Sequence, residues 1–209
     1  ADDVLMGLDG KKVAISVSIS DFAAGLSDKL ENGDIVSVII YDKENDREVI
    51  KNGGKANQLE AFEDLPYQYD NWELSEYYKQ KKWNVDDVQS VEVISDGVRS
   101  GFRITRKFLS STIAQNVWVY ENSRRIDFET DIDWKESHIV LKTAFPINVH
   151  SDKASYETQF GYVERPTHGN TSWDGAKFEV CAHKWADLSE TGYGVSLLND
   201  CKYGYSIKE

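Results

Sequence analysis

Residues 126–134 read Ile-Asp-Phe-Glu-Thr-Asp-Ile-Asp-Trp, in which apolar or β-branched side chains alternate with carboxylates. Successive side chains of a β-strand point to opposite faces, so this alternation predicts a strand with one buried and one solvated face. All the carboxylates fall on the same face, which we therefore expect to lie in solvent. They are Asp127, Glu129, Asp131 and Asp133.

Similar patterns extend in both directions from this strand. Alternating or β-rich runs occupy residues 13–19, 35–41, 91–94, 102–108, 113–120, 139–149, 154–160, 193–198 and 203–207. Between some of them, Asn32-Gly33, Asn52-Gly53-Gly54 and Ser95-Asp96-Gly97 provide residues that tolerate a positive φ, as hairpin connections require. The pattern over residues 88–149 indicates consecutive strands too long for a small barrel. We predict an all-β fold, a large antiparallel β-sandwich.

Two stretches do not alternate. Residues 72–82 predict a short helix or an irregular loop. Residues 161–175 are rich in Gly, Pro, Asn, Thr and Ser and predict a long loop that interrupts the strands. A chain of 209 residues suits one large sandwich or two small domains. We favour one β-sandwich domain over residues 31–209, preceded by an N-terminal strand or linker over residues 1–30.

The charge of the chain argues against two classes of partner. With 36 acidic and 24 basic residues the formal net charge is -12, which repels nucleic acid and anionic lipid alike. No apolar run approaches the roughly 20 residues that span a bilayer, and the first residues show no signal pattern. We expect either a cytoplasmic protein or one whose leader is missing from this sequence, and in both cases neither partner. Cys181 and Cys201 fit no zinc signature and are expected to be buried free thiols.

The polar residues between 160 and 174 form the densest candidate site. Arg165, His168, Asn170 and Trp173 combine a guanidinium, an imidazole, an amide and an indole. Sugar recognition uses such a mixture, because a sugar ring offers hydroxyls that donate and accept, and an apolar face that stacks on an aromatic ring. Alternatively, these groups tie down a long loop, with Arg165 and His168 satisfying buried carbonyls.

A second candidate site is Asp70-Asn71-Trp72, which follows the acidic run at residues 62–66. Carboxylates beside an aromatic ring can hold sugar hydroxyls. Alternatively, Asp70 or Asn71 caps a helix and Trp72 fills the core.

A third cluster lies between residues 181 and 190. His183 would share a face with Trp185 in a strand, which the flanking sequence favours, or would approach Asp187 in a helix. A metal site that joins His168 and His183 lacks the close ligand spacing of recognised zinc motifs.

Several long segments have a distinctive order of residues. They are GKANQL (54–59) with FEDLP (62–66), SRRIDF (123–128), LKTAFP (141–146), QFGYVERPTH (159–168), NTSWDGAKFEVCAHKWADLSE (170–190) and YGVSLLNDCKYGYS (193–206). From about Asn32 onward, the chain resembles the cytosolic and bacterial branch of family 38 α-mannosidases, which are glycoside hydrolases. It departs from that pattern at Asn71, where alanine is frequent, and at Gly169, where a bulkier residue is common.

The resemblance implies a modular, retaining enzyme that hydrolyses terminal α-mannosides of oligosaccharides. In that family an N-terminal α/β barrel carries the aspartate nucleophile, the acid/base and the ligands of a divalent metal, usually zinc. A three-helix bundle and β-sandwich domains follow the barrel. No segment here looks like the barrel. We therefore expect the central sandwich, of the supersandwich type shared with galactose mutarotase, with no catalytic residue or metal ligand of its own and no activity in isolation.

In the family the sandwich also packs on the barrel and the bundle and lines the substrate cleft. The residues expected to contact a mannose-containing oligosaccharide are Asp70, Trp72, Arg165, His168, Asn170 and Trp173. Two other functions stay open. One is a free-standing carbohydrate-binding module. The other is a mutarotase-like sugar epimerase, with Glu164 or Glu179 as base and His168 or His183 as acid.

Overall fold

The computed structural model describes residues 4–8, 11–13, 37–42, 45–69, 72–121 and 123–208. Every described strand pair is antiparallel, which confirms the all-β prediction. The chain divides between Pro146 and Ile147 into two compact units, called the first and the second unit. Within the described ranges, helices are too short or too polar to cross a bilayer.

The first unit contains strands β1 to β11. They are β1 (Val4–Leu8), β2 (Lys11–Val13), β3 (Ser37–Asp42), β4 (Arg47–Glu48), β5 (Gln58–Glu63), β6 (Lys82–Asn84), β7 (Asp87–Ser95), β8 (Arg99–Phe108), β9 (Ser111–Tyr120), β10 (Ile126–Asp133) and β11 (Ile139–Ala144). The sheets have the orders β2-β1-β3-β4, β10-β9-β8-β7 and β11-β5-β6. A 3₁₀ helix, Glu76–Gln80, confirms the short helix or loop predicted over residues 72–82.

The core of the first unit lies between two of these sheets. Leu59 and Ala61 of β5 are buried in one cluster with Phe108 of β8 and Ile113 of β9. The other members of the cluster are Trp83, Val85, Trp134, Ile139 and Leu141. Two antiparallel sheets that share an apolar layer form a β-sandwich, as the alternation predicts.

A buried polar network crosses the same unit. The side-chain amide of Asn57 donates to Gln115 Oε1 of β9, and its oxygen accepts from the Thr143 hydroxyl of β11 at 3.0 Å. The Gln115 amide also donates to Thr130 Oγ1 of β10 at 2.9 Å. Because a buried amide is costly unless it is hydrogen-bonded, this network favours one pairing of the two sheets.

Strand β10 confirms the strand predicted at residues 126–134 but not its buried face, because no residue of β10 is fully buried and Ile132, on the apolar face, is exposed. Its acidic face is exposed towards the end of the strand, but Glu129 has specific partners: it accepts from Arg99 Nη1 at 2.6 Å and from Trp118 Nε1 at 2.9 Å. The Arg99 guanidinium also lies 4.2 Å from the centre of the Trp118 ring. The outer face therefore links β8, β9 and β10 through side chains as well as through the backbone.

The second unit is built on one sheet of order β13-β12-β15-β16 and a short ribbon, β14–β17. Its elements are β12 (Lys153–Thr158), β13 (Gly161–Pro166), α1 (Ser172–Ala176), β14 (Val180–Cys181), β15 (Trp185–Glu190), β16 (Tyr193–Leu198) and β17 (Gly204–Tyr205). The register places Val163, Tyr156, Ala186 and Leu197 in one row across the sheet. Tyr205 of β17 packs on this face, its ring 6.2 Å from that of Tyr156.

Strand β13 corrects the prediction of a loop that begins at residue 161. Gly161 and Pro166 lower its strand propensity, but they occupy its two ends and β13 is an edge strand, where proline is tolerated. Pairing with β12 over its whole length therefore decides the structure. The loop shortens to residues 167–171. In the turn before β13, Phe160 has φ 63° and a fully exposed ring.

The cysteines correct a second expectation. Cys181 and Cys201 are free thiols, but both are exposed rather than buried. Cys181 ends the two-residue strand β14, and Cys201 lies in the turn before β17, so neither occupies an interior position. The adjacent Asp200 carboxylate raises the pKa of the Cys201 thiol. Of the N-terminal segment 1–30, only β1 and β2 fall within the described residues.

Candidate substrate-lining loops

The loop between β5 and the 3₁₀ helix presents aromatic rings to solvent. The Trp72 side chain is 88% exposed, which contradicts the interpretation of this residue as a core plug. Its ring lies 6.1 Å from that of Tyr69 at an angle of 32°. Leu65, Tyr67 and Tyr77 are also exposed. Asp70 and Asn71, which the sequence pairs with Trp72, lie outside the described residues.

One buried residue anchors this aromatic loop. Tyr78 packs edge-on against Phe62 of β5, with ring centroids 5.1 Å apart, and its hydroxyl accepts from Lys142 Nζ at 3.4 Å. Ser75 caps the 3₁₀ helix, because its hydroxyl accepts from the Tyr77 amide. The sheet thus fixes the base of the loop, while Trp72 and its neighbours stay free to contact a ligand or another surface.

In the second unit, the loop between β13 and α1 is fixed by a different residue from those predicted. Thr167 is buried; its hydroxyl donates to the Ser151 carbonyl at 2.6 Å and its amide to the Asp152 carbonyl at 3.0 Å. The alternative to sugar recognition gave this role to Arg165 and His168. In the structure, Thr167 makes these two contacts instead.

A cap joins this loop to helix α1. The Thr171 hydroxyl accepts from the Asp174 amide at 3.1 Å and donates to the Asp174 carboxylate at 2.6 Å. The hydrogen bond from the Thr171 hydroxyl lowers the pKa of Asp174. His168 Nδ1 lies 3.8 Å from Asp174 Oδ2 and accepts from the Asn170 amide at 3.5 Å. His168 therefore lies between the Asn170 amide and the Asp174 carboxylate of the helix cap.

Arg165 and Trp173 occupy neighbouring parts of the same region. The Arg165 guanidinium lies 5.9 Å from the centre of the Tyr156 ring, and its Nε is buried without a hydrogen-bond partner among the described residues. Arg165 and Asp174 both line a depression with a volume of about 10 Å³, room for one water molecule. The Trp173 ring is 73% exposed, with Lys177 Nζ 5.4 Å from its centre.

The histidine and the carboxylate of the third cluster have separate partners. His183 lies next to Gln159 and Tyr203: its Nε2 is 3.4 Å from Gln159 Nε2, and its ring is 5.6 Å from the Tyr203 ring. Asp187, on β15, accepts instead from the hydroxyls of Ser189 and Ser196. In the part of the chain that the structure describes, no three His, Cys, Asp or Glu side chains come together as metal ligands would.

Sequence reasoning missed Asp174, Thr171 and Thr167. The first two carried a signal, since Thr and Asp three residues apart are typical of a helix N-terminus with a capping box. Thr167 carried none, because its partners belong to a loop sixteen residues away. Of the predicted residues, Arg165, His168, Asn170 and Trp173 lie around one loop of the second unit, and Trp72 belongs to the first unit.

The chain matches one protein family and several named proteins. Residues 29–209 match the family model of the glycosyl hydrolases family 38 C-terminal domain. The chain is 41% identical over 167 residues to alpha-mannosidase 2C1 of Homo sapiens, covering 78% of this chain and 16% of that protein. It is 42% identical over 189 residues to alpha-mannosidase G of Dictyostelium discoideum, covering 84% of this chain and 16% of that protein.

A solved structure supports the fold. The crystal structure of an alpha-mannosidase from Enterococcus faecalis V583 superposes with a TM-score of 0.66 at 15% identity, covering 81% of this chain and 22% of that chain. The chain spans about one sixth of the length of the curated relatives it matches. Since the family model covers most of its residues and two relatives exceed 40% identity, the chain belongs to the family of glycosyl hydrolase family 38 C-terminal domains.

Proposed function

We propose that this chain is a non-catalytic β-sandwich portion of a retaining α-mannosidase that cleaves terminal α-mannosides of oligosaccharides. The observation that carries the proposal is the identity above 40% with proteins named alpha-mannosidase over about four fifths of the chain. A retaining glycosidase uses two carboxylates, one as nucleophile and one as acid/base, and forms a covalent glycosyl intermediate. In this proposal both carboxylates belong to a barrel elsewhere in the protein.

The metal of such an enzyme is assigned to that barrel as well. The described residues of this chain do not fit a metal ion, since no cluster of three ligands occurs among them. In the proposal, this chain packs on the barrel and a helical bundle and contributes binding surface. The resemblance to the cytosolic and bacterial branch supports a cytoplasmic location and a role in mannose metabolism.

The two exposed loops are the proposed substrate-lining surfaces. Trp72 and Trp173 present aromatic faces on which sugar rings stack, while Arg165, His168 and Asn170 offer polar groups for sugar hydroxyls. Asp70 is proposed to act beside Trp72. Because Tyr78 and Thr167 fix the bases of the two loops, their side chains would be presented to a mannose-containing oligosaccharide at little entropic cost.

Activity measurements test whether catalysis depends on the barrel rather than on this chain. The isolated 209-residue chain is expected not to hydrolyse an aryl α-mannoside, because both reacting carboxylates are assigned elsewhere. The full-length gene product is expected to hydrolyse it and to lose activity when its divalent metal is chelated. Turnover by the isolated chain would overturn the assignment, and so would an inactive full-length protein.

Variants of the full-length protein test the loops. Trp72→Ala and Trp173→Ala should each raise KM or lower kcat by more than about tenfold, or about 1.4 kcal/mol, if the rings line the cleft. Val98→Ala is the control, because Val98 is equally exposed but lies in the turn between β7 and β8. Wild-type kinetics in both tryptophan variants would remove the loops from the substrate site.

The two alternatives make different predictions. A carbohydrate-binding module would bind mannobiose as an isolated chain, which calorimetry measures directly. An epimerase would interconvert sugar anomers. For the pair Glu164 and His168, the structure shows other partners: Glu164 lies 3.5 Å from Lys153 Nζ and His168 lies beside Asp174. This arrangement does not favour an acid–base pair.

A further inference from the structure

An open cavity of about 330 Å³ lies at the surface of the first unit, and no residue of either loop lines it. Its lining comes from the start of β5, the β6–β7 connection and strands β7 and β8, so residues of both sheets of the sandwich border it. The lining residues are Lys55, Ala56, Asn57, Gln58, Leu59, Asp86, Val88 and Arg106. The volume falls at the lower end of the range typical of small-molecule sites.

Arg106 is the unusual residue of this cavity. It lies two residues before the core residue Phe108 on β8, and alternation therefore turns both side chains towards the inside of the sandwich. Its Nη1 is buried and has no hydrogen-bond partner among the described residues. Burial lowers the pKa of the Arg106 guanidinium. A buried, unpaired donor on a charged group destabilises a fold, and an anion close to the guanidinium would offset part of that cost.

The remaining charges favour an anion. Asp86 is the one carboxylate among the lining residues, all of which the structure describes. Its Oδ1 already accepts from Gln58 Nε2 at 3.1 Å and lies 3.9 Å from Lys55 Nζ. With Lys55 and Arg106 opposite a single acid, the cavity is locally cationic within a chain of net charge -12. Short-range contacts outweigh that distant charge at physiological ionic strength.

The backbone and the apolar walls point to an organic ligand. Val88 lies opposite Arg106 in the β7–β8 ladder, and a bulge interrupts the register between Val88 and Ser90. Bulges redirect side chains and are frequent beside binding sites. Leu59 and Ala56 add apolar wall. The cavity can hold more than a bare inorganic ion, and Asp86 and Gln58 offer polar groups for hydroxyls on the rest of a molecule.

We propose that this cavity binds a small organic oxyanion, a phosphate monoester or a carboxylate on a body the size of a monosaccharide. The anionic group faces the guanidinium of Arg106 and Lys55 at the rim. Hydroxyls of the ligand meet Asp86 and Gln58. The site is independent of the mannosidase assignment, since it uses neither exposed loop and no reacting group.

Calorimetry on the 209-residue chain tests the site. Three sugars serve as probes: glucose 6-phosphate represents the phosphate monoesters, glucuronate represents the carboxylates, and glucose is the uncharged control. We expect one-to-one saturable binding of at least one anionic sugar, and binding of glucose at least tenfold weaker. No saturation by either anion up to about 10 mM, a limit of weak affinity, overturns the proposal. Glucose bound as tightly as the anions also overturns it.

Matched variants locate the ligand. Arg106→Gln should weaken binding at least tenfold. Arg103→Gln removes the same charge from the same strand, but its side chain contacts Asn116 on the opposite face, and it should leave binding unchanged. Equal losses in the two variants would mean a general effect of charge and would sink the proposal.

Stability measurements give a second readout. Removing an unpaired buried guanidinium should leave the melting temperature of unliganded Arg106→Gln equal to or above that of the wild type. The anionic sugar should raise the wild-type melting temperature and not that of Arg106→Gln. If Arg106→Gln fails to fold, Lys55→Gln replaces it in the binding test, because Lys55 is exposed and its substitution should not disturb folding. Binding that is several-fold weaker in Lys55→Gln supports the site, and binding equal to that of the wild type rejects it.

Discussion

Gly101 shows how strongly one position can depend on the absence of a side chain. It lies in β8 opposite Trp118 of β9, and a Cβ at this position would come within 1.8 Å of the Val117 carbonyl oxygen. That oxygen belongs to the backbone of a central strand and cannot move aside. Gly101→Ala should therefore lower the free energy of unfolding by about 3 kcal/mol or more, as urea denaturation would measure.

Gly161 provides the control for that substitution. It is also a strand glycine, but a Cβ there meets no atom within 4 Å. Gly161→Ala should stay within about 0.5 kcal/mol of the wild type. If Gly101→Ala were equally harmless, the close approach of β8 and β9 would be wrong.

Single residues were also where the sequence predicted least. The side chains of Asn57 and Gln115 are hydrogen-bonded although 58 residues separate them in the sequence. Neither residue stands in a sequence pattern that distinguishes a buried amide from an exposed one. Trp72 illustrates the same limit, since an indole suits a core and a ligand-binding surface equally well. Thr171 and Asp174 differ, because their contact is local and their spacing alone indicates a helix cap.

At the scale of elements, the β7–β8 turn makes the structure sensitive to acid. The Arg99 side chain and the backbone amides of Arg99 and Val98 donate to Asp96 and hold its pKa at about 2. The unfolded carboxyl titrates near 3.9, so between these values the unfolded chain binds more protons. The stabilisation is complete above about pH 5 and is lost as the pH falls towards 2.

Asp96→Asn is the corresponding test. The variant should be less stable than the wild type at pH 6, and the difference should shrink between about pH 4 and pH 2 as the wild-type carboxylate is protonated. Thermal melts across this range measure it. A difference that stays constant with pH would show that the ionised form of Asp96 does not stabilise the turn.

Strands were predictable where alternation and length coincided. The pattern of β8, β9 and β10 is regular over seven or more residues each, and the structure confirms all three strands. Strand β13 failed because its composition resembles a loop and its pairing with β12 is a tertiary effect. Of the three two-residue strands, β17 falls within the β-rich run predicted at residues 203–207, whereas β4 and β14 are too short for periodicity to carry information.

At the scale of the whole molecule, the excess of acidic residues predicts a dependence on salt. Exposed pairs such as Lys81–Glu63 are worth little individually, whereas a net charge of -12 repels itself throughout the fold. Raising NaCl from about 10 mM to about 150 mM shortens the screening length from about 30 Å to about 8 Å. The melting temperature should rise by about 2 °C or more; a fall would mean that ion pairs outweigh the repulsion.

The family was recognisable from long, ordered segments, because these retain information that composition and periodicity discard. The division into two compact units after Pro146 had no counterpart in the sequence, since no Gly-rich or Ser-rich linker marks it. The core clusters of the two units were only partly predictable for the same reason: periodicity selects the inward face of a strand but does not say which other strand will meet it.

Phe160, in the turn between β12 and β13, destabilises the second unit. A positive φ strains the backbone of a bulky residue such as Phe160, and its ring is exposed to water, so burial of apolar surface does not offset the strain. Phe160→Asn should therefore raise the melting temperature of the isolated chain. If the same substitution instead lowers the melting temperature of the full-length protein, the Phe160 ring is buried there against another domain. The hairpin would then stabilise the contact between domains while it destabilises the unit to which it belongs.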